Sequence, residues 1–141
     1  MAKKPLVITT RLWVRATPAQ VWKALTHAKT LARWYTKPHK HALRKGGEWS
    51  FRDGKTTGRV MELQRNKRLV HSQKDDPAWP AMKLDYTIEP SGRITTLTIQ
   101  HSGFGSHKEL HENWVHAWPF ISQNLKTLLE TGTPLCEGTW A

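Results

Sequence analysis

The 141-residue sequence predicts an α+β fold, a curved antiparallel sheet of about six or seven strands wrapped on one long C-terminal helix, with two short helices after the first strand. Three observations predict it. An alternating run opens the chain, the stretch from Gly46 to Gly103 is strand and turn throughout, and a single apolar stripe runs along residues 107–130. Such a length suits one domain over residues 1–141, with 131–141 as an irregular tail, and it can bury a core without staples.

In residues 6–15, Ile8, Thr10, Leu12 and Val14 alternate with Thr9, Arg11, Trp13 and Arg15, the period of a strand. Thr17-Pro18-Ala19-Gln20 then offers a cap, a proline suited to the first helical turn, and a capping box. The helix it starts carries Val21, Trp22 and Leu25 on one face, and a second short helix around Lys29 to Trp34 stops before Lys37-Pro38. Beyond Gly46-Gly47, strands are expected at Glu48–Phe51, Gly58–Leu63, Arg68–Gln73, Met82–Ile88 and Ile94–His101, with Asp53-Gly54 and Pro90-Ser91-Gly92 as turns. Leu110, Trp114, Trp118, Ile121, Leu125 and Leu128 recur every three or four residues, which is one face of a helix. Pro119 should bend that helix and Gly132 should end it. A sheet this large cannot cover its apolar face with the short helices, so the long one must lie across it. Strong curvature tends to leave a cavity between the two layers.

Composition narrows the function. One cysteine, Cys136, excludes an internal disulfide. The N-terminus has no apolar signal core, and no stretch approaches the ~18 apolar residues of a membrane span, so a cytoplasmic location is expected. Residues 1–74 carry 18 Lys and Arg against three acids, whereas residues 75–141 carry four against eight. That cationic half suits an acidic protein partner, or simply a solvated face. Its charges are scattered without a zinc-finger, RNP-type or helix-turn-helix signature, so nucleic acid is not expected as a partner.

Several segments resemble, in order and spacing, the SRPBCC (START-like, Bet v 1-like) superfamily. The match is closest to its branch named after the activator of heat-shock protein 90 ATPase. Val21-Trp22-Lys23-Ala24-Leu25-Thr26 with Leu31-Ala32-Arg33-Trp34 is similar to that branch's opening helices, and Gly46–Phe51 to its "GGxFxF" strand. Gly58–Leu63 with Arg68–His71, His101-Ser102-Gly103-Phe104, and Trp118-Pro119 match three further motifs. Ala117 stands where the family usually has Gly, and Gln73 where it often has an aromatic, departures that would reshape a cavity more than a fold. The resemblance implies a helix-grip fold with an apolar cavity. It leaves the activity open, because the superfamily holds lipid carriers, hormone receptors, polyketide cyclases and co-chaperone domains.

Eight tryptophans supply much apolar area, each with one donor. The expected cavity wall is Trp34, Trp49, Phe51, Phe104, Trp114 and Trp118, which could instead fill the space completely. His71, Tyr86 and His101 are the expected polar contacts to an apolar small molecule, since both histidines are in phase with apolar strand neighbours. The alternative for each histidine is a core residue bonded to backbone or to a neighbour such as Tyr86. Glu62, in phase with Val60, is expected to point inward or to pair with an arginine such as Arg33. His111-Glu112-Asn113-Trp114-Val115-His116 misses HExxH by one residue, which turns its second imidazole about 100° off the first one's face. No catalytic pair, metal ligand set or cofactor motif is therefore assigned, and Cys136 has no activating neighbours.

Overall fold

A computed structural model describes residues 6–137. Strands β1 (Ile8–Val14), β2 (Pro38–His41), β3 (Glu48–Phe51), β4 (Thr56–Gln64), β5 (Arg68–Gln73), β6 (Met82–Ser91) and β7 (Ile94–Ser102) form one antiparallel sheet in the order β1-β7-β6-β5-β4-β3-β2. Helices α1 (Pro18–Thr26) and α2 (Ala28–Trp34) connect β1 to β2, and α3 (Lys108–Thr131) follows β7. This is the helix-grip arrangement. Trp140 lies outside the described residues.

Register decides which side chains face α3. Direct partners share a face, so the pairs Leu12↔Leu97, Tyr86↔Ile99, Leu84↔His101 and His71↔Leu84 line one continuous concave surface. The α3 stripe meets it: Leu110, Trp118, Ile121, Leu125 and Leu128 are buried, and Trp114 is half-buried. Each fully buried aliphatic of that stripe contributes roughly 1.5–3 kcal/mol. The capping box at Thr17 and Gln20 is present, and Gly132 ends α3 with a left-handed φ of 84°. Pro119 sits on the exposed side of α3, and the helix continues through it.

Two features of the sheet depart from simple alternation. β2 is a four-residue strand of proline, histidine and lysine that no periodicity signals; it pairs only with β3. In β4 the register against β5 shifts between Val60 and Glu62, a bulge that turns Glu62 to the opposite face from Val60. Glu62 therefore does not point inward, and Arg33 is not its partner. It joins Arg68 at 3.3 Å on the outer face, where Arg68 also binds Asp85 at 2.7 Å, and Arg33 pairs with Glu137 at 3.0 Å.

The sheet curls sharply where β4 meets the end of β5. Thr57 and Lys74 exchange backbone hydrogen bonds of 3.0 and 2.7 Å there. A Cβ on the adjacent Gly58 would stand 1.9 Å from the Ser72 carbonyl oxygen, so only glycine permits this approach. Trp34 fixes α2 to α1 by donating its indole N–H to the Ala24 carbonyl at 2.7 Å. Asn124 of α3 donates to the Trp34 and Cys136 carbonyls and accepts from the Cys136 N–H, tying α2 and the segment after α3 to the helix.

Candidate functional site

The nine residues expected at the site form two aromatic groups on the concave face. In the first, Trp49 of β3 lies against His71 of β5 (centroids 5.1 Å apart), and His71 stacks on Tyr86 of β6 at 5.8 Å and 21°. Phe51 and Trp34 adjoin this group through Tyr35, whose ring meets Phe51 edge-on at 5.4 Å and Trp34 at 5.5 Å. In the second, Phe104, Trp114 and Trp118 surround His101 at 4.7, 4.8 and 5.9 Å. The rings pack on one another rather than lining an open void.

The two histidines are bonded differently. The Trp118 indole can only donate, and it donates to His101 Nδ1 at 3.0 Å, which places the imidazole proton on Nε2 facing the Met82 sulfur at 3.1 Å. His101 is fully buried and both its nitrogens are taken, so it is a core residue that holds α3 to the sheet. Burial, with the charges of His71 and His111, lowers its pKa to about 3. His71 donates from Nδ1 to its neighbour Ser72's carbonyl at 3.0 Å, which leaves the lone pair on Nε2. Burial lowers its pKa to about 4, so it is neutral at pH 7. Among the described residues nothing bonds its Nε2, and nothing bonds the Tyr86 hydroxyl. Burial, then the Tyr35 charge, pushes the Tyr86 phenol well above its ordinary value, which keeps it an O–H donor.

A chain of polar groups links both aromatic groups to the surface, and the sequence reading missed it. Gln73 donates to the Tyr35 hydroxyl at 3.2 Å and to Asp75 at 3.0 Å, and Asp75 accepts the Trp114 indole N–H at 3.2 Å. Burial raises the Asp75 carboxyl, while the Gln73 and Trp114 bonds and the Arg52 charge pull it back. The signal for Gln73 lay in its phase: it follows Leu69 and His71 on the inner face, and a buried amide there requires partners. Asp75 sits in the β5–β6 loop, where no periodicity distinguishes it from its neighbour Asp76. Beside it opens a surface recess of about 450 Å³ lined by Arg52, Lys55, Thr57, Lys74, Asp75 and Pro77, among others.

His107 caps α3 by accepting the Leu110 N–H at 3.2 Å, and His111 rests edge-on against Phe104. No group of three or more metal-ligating side chains occurs among the described residues, and no helix among them is long and apolar enough to cross a membrane.

No protein of curated function matches this sequence. Solved structures match its fold: an X-ray structure of a Chromobacterium violaceum protein has a TM-score of 0.78 at 24% identity, covering 89% of this chain and 97% of its own. The solution structure of the Aha1 dimer from Colwellia psychrerythraea gives 0.76 at 21% identity, with 89% and 97% covered. An HSP90 activator from Plasmodium falciparum gives 0.65 at 18% identity, with 83% and 96% covered. The profile of one sequence family, described as activator of Hsp90 ATPase homolog 1-like protein, matches residues 15–130. With most of its length matched, the chain belongs to the activator of Hsp90 ATPase homolog 1-like family, within the START-like superfamily.

Proposed function

We propose that this protein binds a small aromatic or otherwise apolar molecule between the concave sheet face and α3. In this reading His71 Nε2 and the Tyr86 hydroxyl are its polar anchors. The carrying observation is that these two buried residues adjoin and that, among the described residues, no protein atom bonds His71 Nε2 or the Tyr86 hydroxyl, although neither atom is fully closed off from solvent. A ligand carbonyl would accept from Tyr86, and a ligand hydroxyl would donate to His71. Trp49 would flank the molecule, Phe51 and Trp34 would back the first aromatic group, and Phe104, Trp114 and Trp118 would form the wall on the α3 side. His101 would hold that wall in place. Because the rings are in contact, a ligand enters only if α3 and the β5–β6 loop part, and the Asp75–Trp114 bond is the contact that must yield.

Thermal shifts and native mass spectrometry with naphthalene and 1-naphthol test this reading. The hydroxyl compound should stabilise the protein more, and the combined variant His71→Phe with Tyr86→Phe should erase the difference. Absence of binding by either compound would refute it.

The charge distribution favours a second reading, a co-chaperone-like module that docks an acidic protein. Lys37, Arg44 and Lys45 are exposed around β2 and the β2–β3 loop and form no ion pair among the described residues, whereas Lys40 pairs with Glu48 at 3.4 Å. Two of the matching structures are of proteins described as Aha1 and an HSP90 activator. Reversing Lys37, Lys40, Arg44 and Lys45 to glutamate should abolish salt-sensitive capture of an acidic chaperone while leaving the fold intact. Unchanged capture would exclude this reading.

A further inference from the structure

The geometry points to an anionic end on the ligand: we infer that the recess beside Asp75 holds a carboxylate, sulfonate or phosphate group attached to the apolar molecule. The inference rests on the ligand-binding reading above, and it names the chemical class of what binds.

Three cations face this recess, Arg52, Lys55 and Lys74, and among the described residues no carboxylate lies within ion-pair distance of any of them. The guanidinium of Arg52 has only a 3.5 Å contact to the Thr56 hydroxyl. Two acids share the rim, but they are occupied. Asp75 accepts from Gln73 and Trp114, and Asp76 accepts the Ala78 N–H at 2.8 Å. Three cations against two carboxylates leave a net charge of one positive unit at the rim, and Arg52, though it acts on Asp75 electrostatically, forms no ion pair with it.

The backbone at this rim is also unusual. Arg52 and Asp53 both adopt left-handed φ angles, 54° and 55°, ahead of Gly54 at 88°. That conformation is disfavoured for any residue with a Cβ, and a glycine or asparagine pair would make the same turn more easily. The turn instead carries an arginine to the mouth of the recess. Arg52 also lines the neighbouring recess, together with Lys37, His39 and the carboxylate Asp53.

The recess and the buried anchors are joined along one stretch of chain. Lys74 and Asp75 border the recess, Gln73 is next inward, and His71 is two residues further along the same face of β5. From His71 to Lys74 three strand residues advance about 10 Å, roughly the length of three fused rings. A molecule with an aromatic body and an acidic end therefore satisfies both sets of unpaired groups. A neutral hydrocarbon satisfies neither.

Two fluorescent probes that share an anilinonaphthalene scaffold separate the possibilities. 8-Anilinonaphthalene-1-sulfonate carries the anion, and N-phenyl-1-naphthylamine lacks it. In about 50 mM salt the sulfonate should bind about tenfold more tightly, and the preference should shrink as salt rises. Combining Arg52→Gln with Lys74→Gln should remove the preference and leave N-phenyl-1-naphthylamine affinity unchanged, which also shows that the variant is folded. Neutralising Lys40 and Arg44, at a different recess, should leave the preference intact. If N-phenyl-1-naphthylamine binds and the sulfonate binds no better, the anionic end is wrong while the ligand site stands. The same holds if the preference survives Arg52→Gln with Lys74→Gln or disappears with the Lys40 and Arg44 changes. If neither probe binds, the ligand site falls and the inference falls with it.

Discussion

Replacing His71 by Phe should flatten the dependence of stability on pH, by an amount the structure sets. His71 is held neutral by burial, with a pKa of about 4 against an ordinary 6.5. Its folded value is depressed, so the unfolded chain takes up the proton first, and stability falls as pH drops below about 6.5. At pH 5 the folded imidazole is still neutral while the unfolded one is almost fully protonated, a difference of about 2 kcal/mol relative to pH 8. His101, lowered to about 3, adds about 2 kcal/mol of the same sign. Together they remove about 4 kcal/mol, a large share of the roughly 5–15 kcal/mol typical of a domain. Asp75 acts in the opposite sense. Its raised carboxyl takes a proton more readily in the fold than in the unfolded chain, so it offsets part of the loss on acidification. Phe keeps the ring between Trp49 and Tyr86 and removes the titration together with the Nδ1–H bond to the Ser72 carbonyl, whose loss lowers stability by the same amount at every pH in this range. Urea unfolding followed by tryptophan fluorescence at pH 8, 6.5 and 5 should therefore show His71→Phe losing about 2 kcal/mol less than the parent across that range. Equal losses in both proteins would refute the claim that His71 is buried and neutral.

Three further outcomes follow from contacts in the core and at its edge. Trp118→Phe removes the only donor to His101 Nδ1 among the described residues and should cost about 1–3 kcal/mol in chemical denaturation, with a changed His101 nitrogen spectrum in NMR. Gly58→Ala forces a methyl group to within 1.9 Å of the Ser72 oxygen, so the β4–β5 crossing must open; a loss of about 2 kcal/mol or more in unfolding free energy is expected. Trp114→Phe deletes the N–H that Asp75 accepts and should speed amide hydrogen exchange in residues 74–81, with little change in β6 or β7.

Most of the fold was legible because it rests on periodicity. The strands with alternating apolar residues, the capping box at Thr17 and the stripe from Leu110 to Leu128 each carry their signal locally. What escaped depended on tertiary geometry. β2 is held by pairing with β3 and has no apolar face to announce it, and a one-residue bulge reversed the side to which Glu62 points. The aromatic and histidine positions could be read as inward from their phase. Whether a nitrogen is spent, as in His101, or unclaimed, as in His71, depends on the approach of Trp118 from α3 and on Ser72, which no spacing encodes. The Tyr35–Gln73–Asp75–Trp114 chain joins three separate segments, so it becomes visible only once they are folded together.

A small molecule that enters between sheet and helix should meet His71 directly. Long-range proton–nitrogen NMR of the imidazoles during a 1-naphthol titration tests it. The Nε2 resonance of His71 should move upfield and saturate with the binding curve, as an acceptor nitrogen does when it gains a donor, while both His101 nitrogens stay within their free-state bonding pattern. Saturable binding that leaves the His71 nitrogens unmoved would contradict the claim.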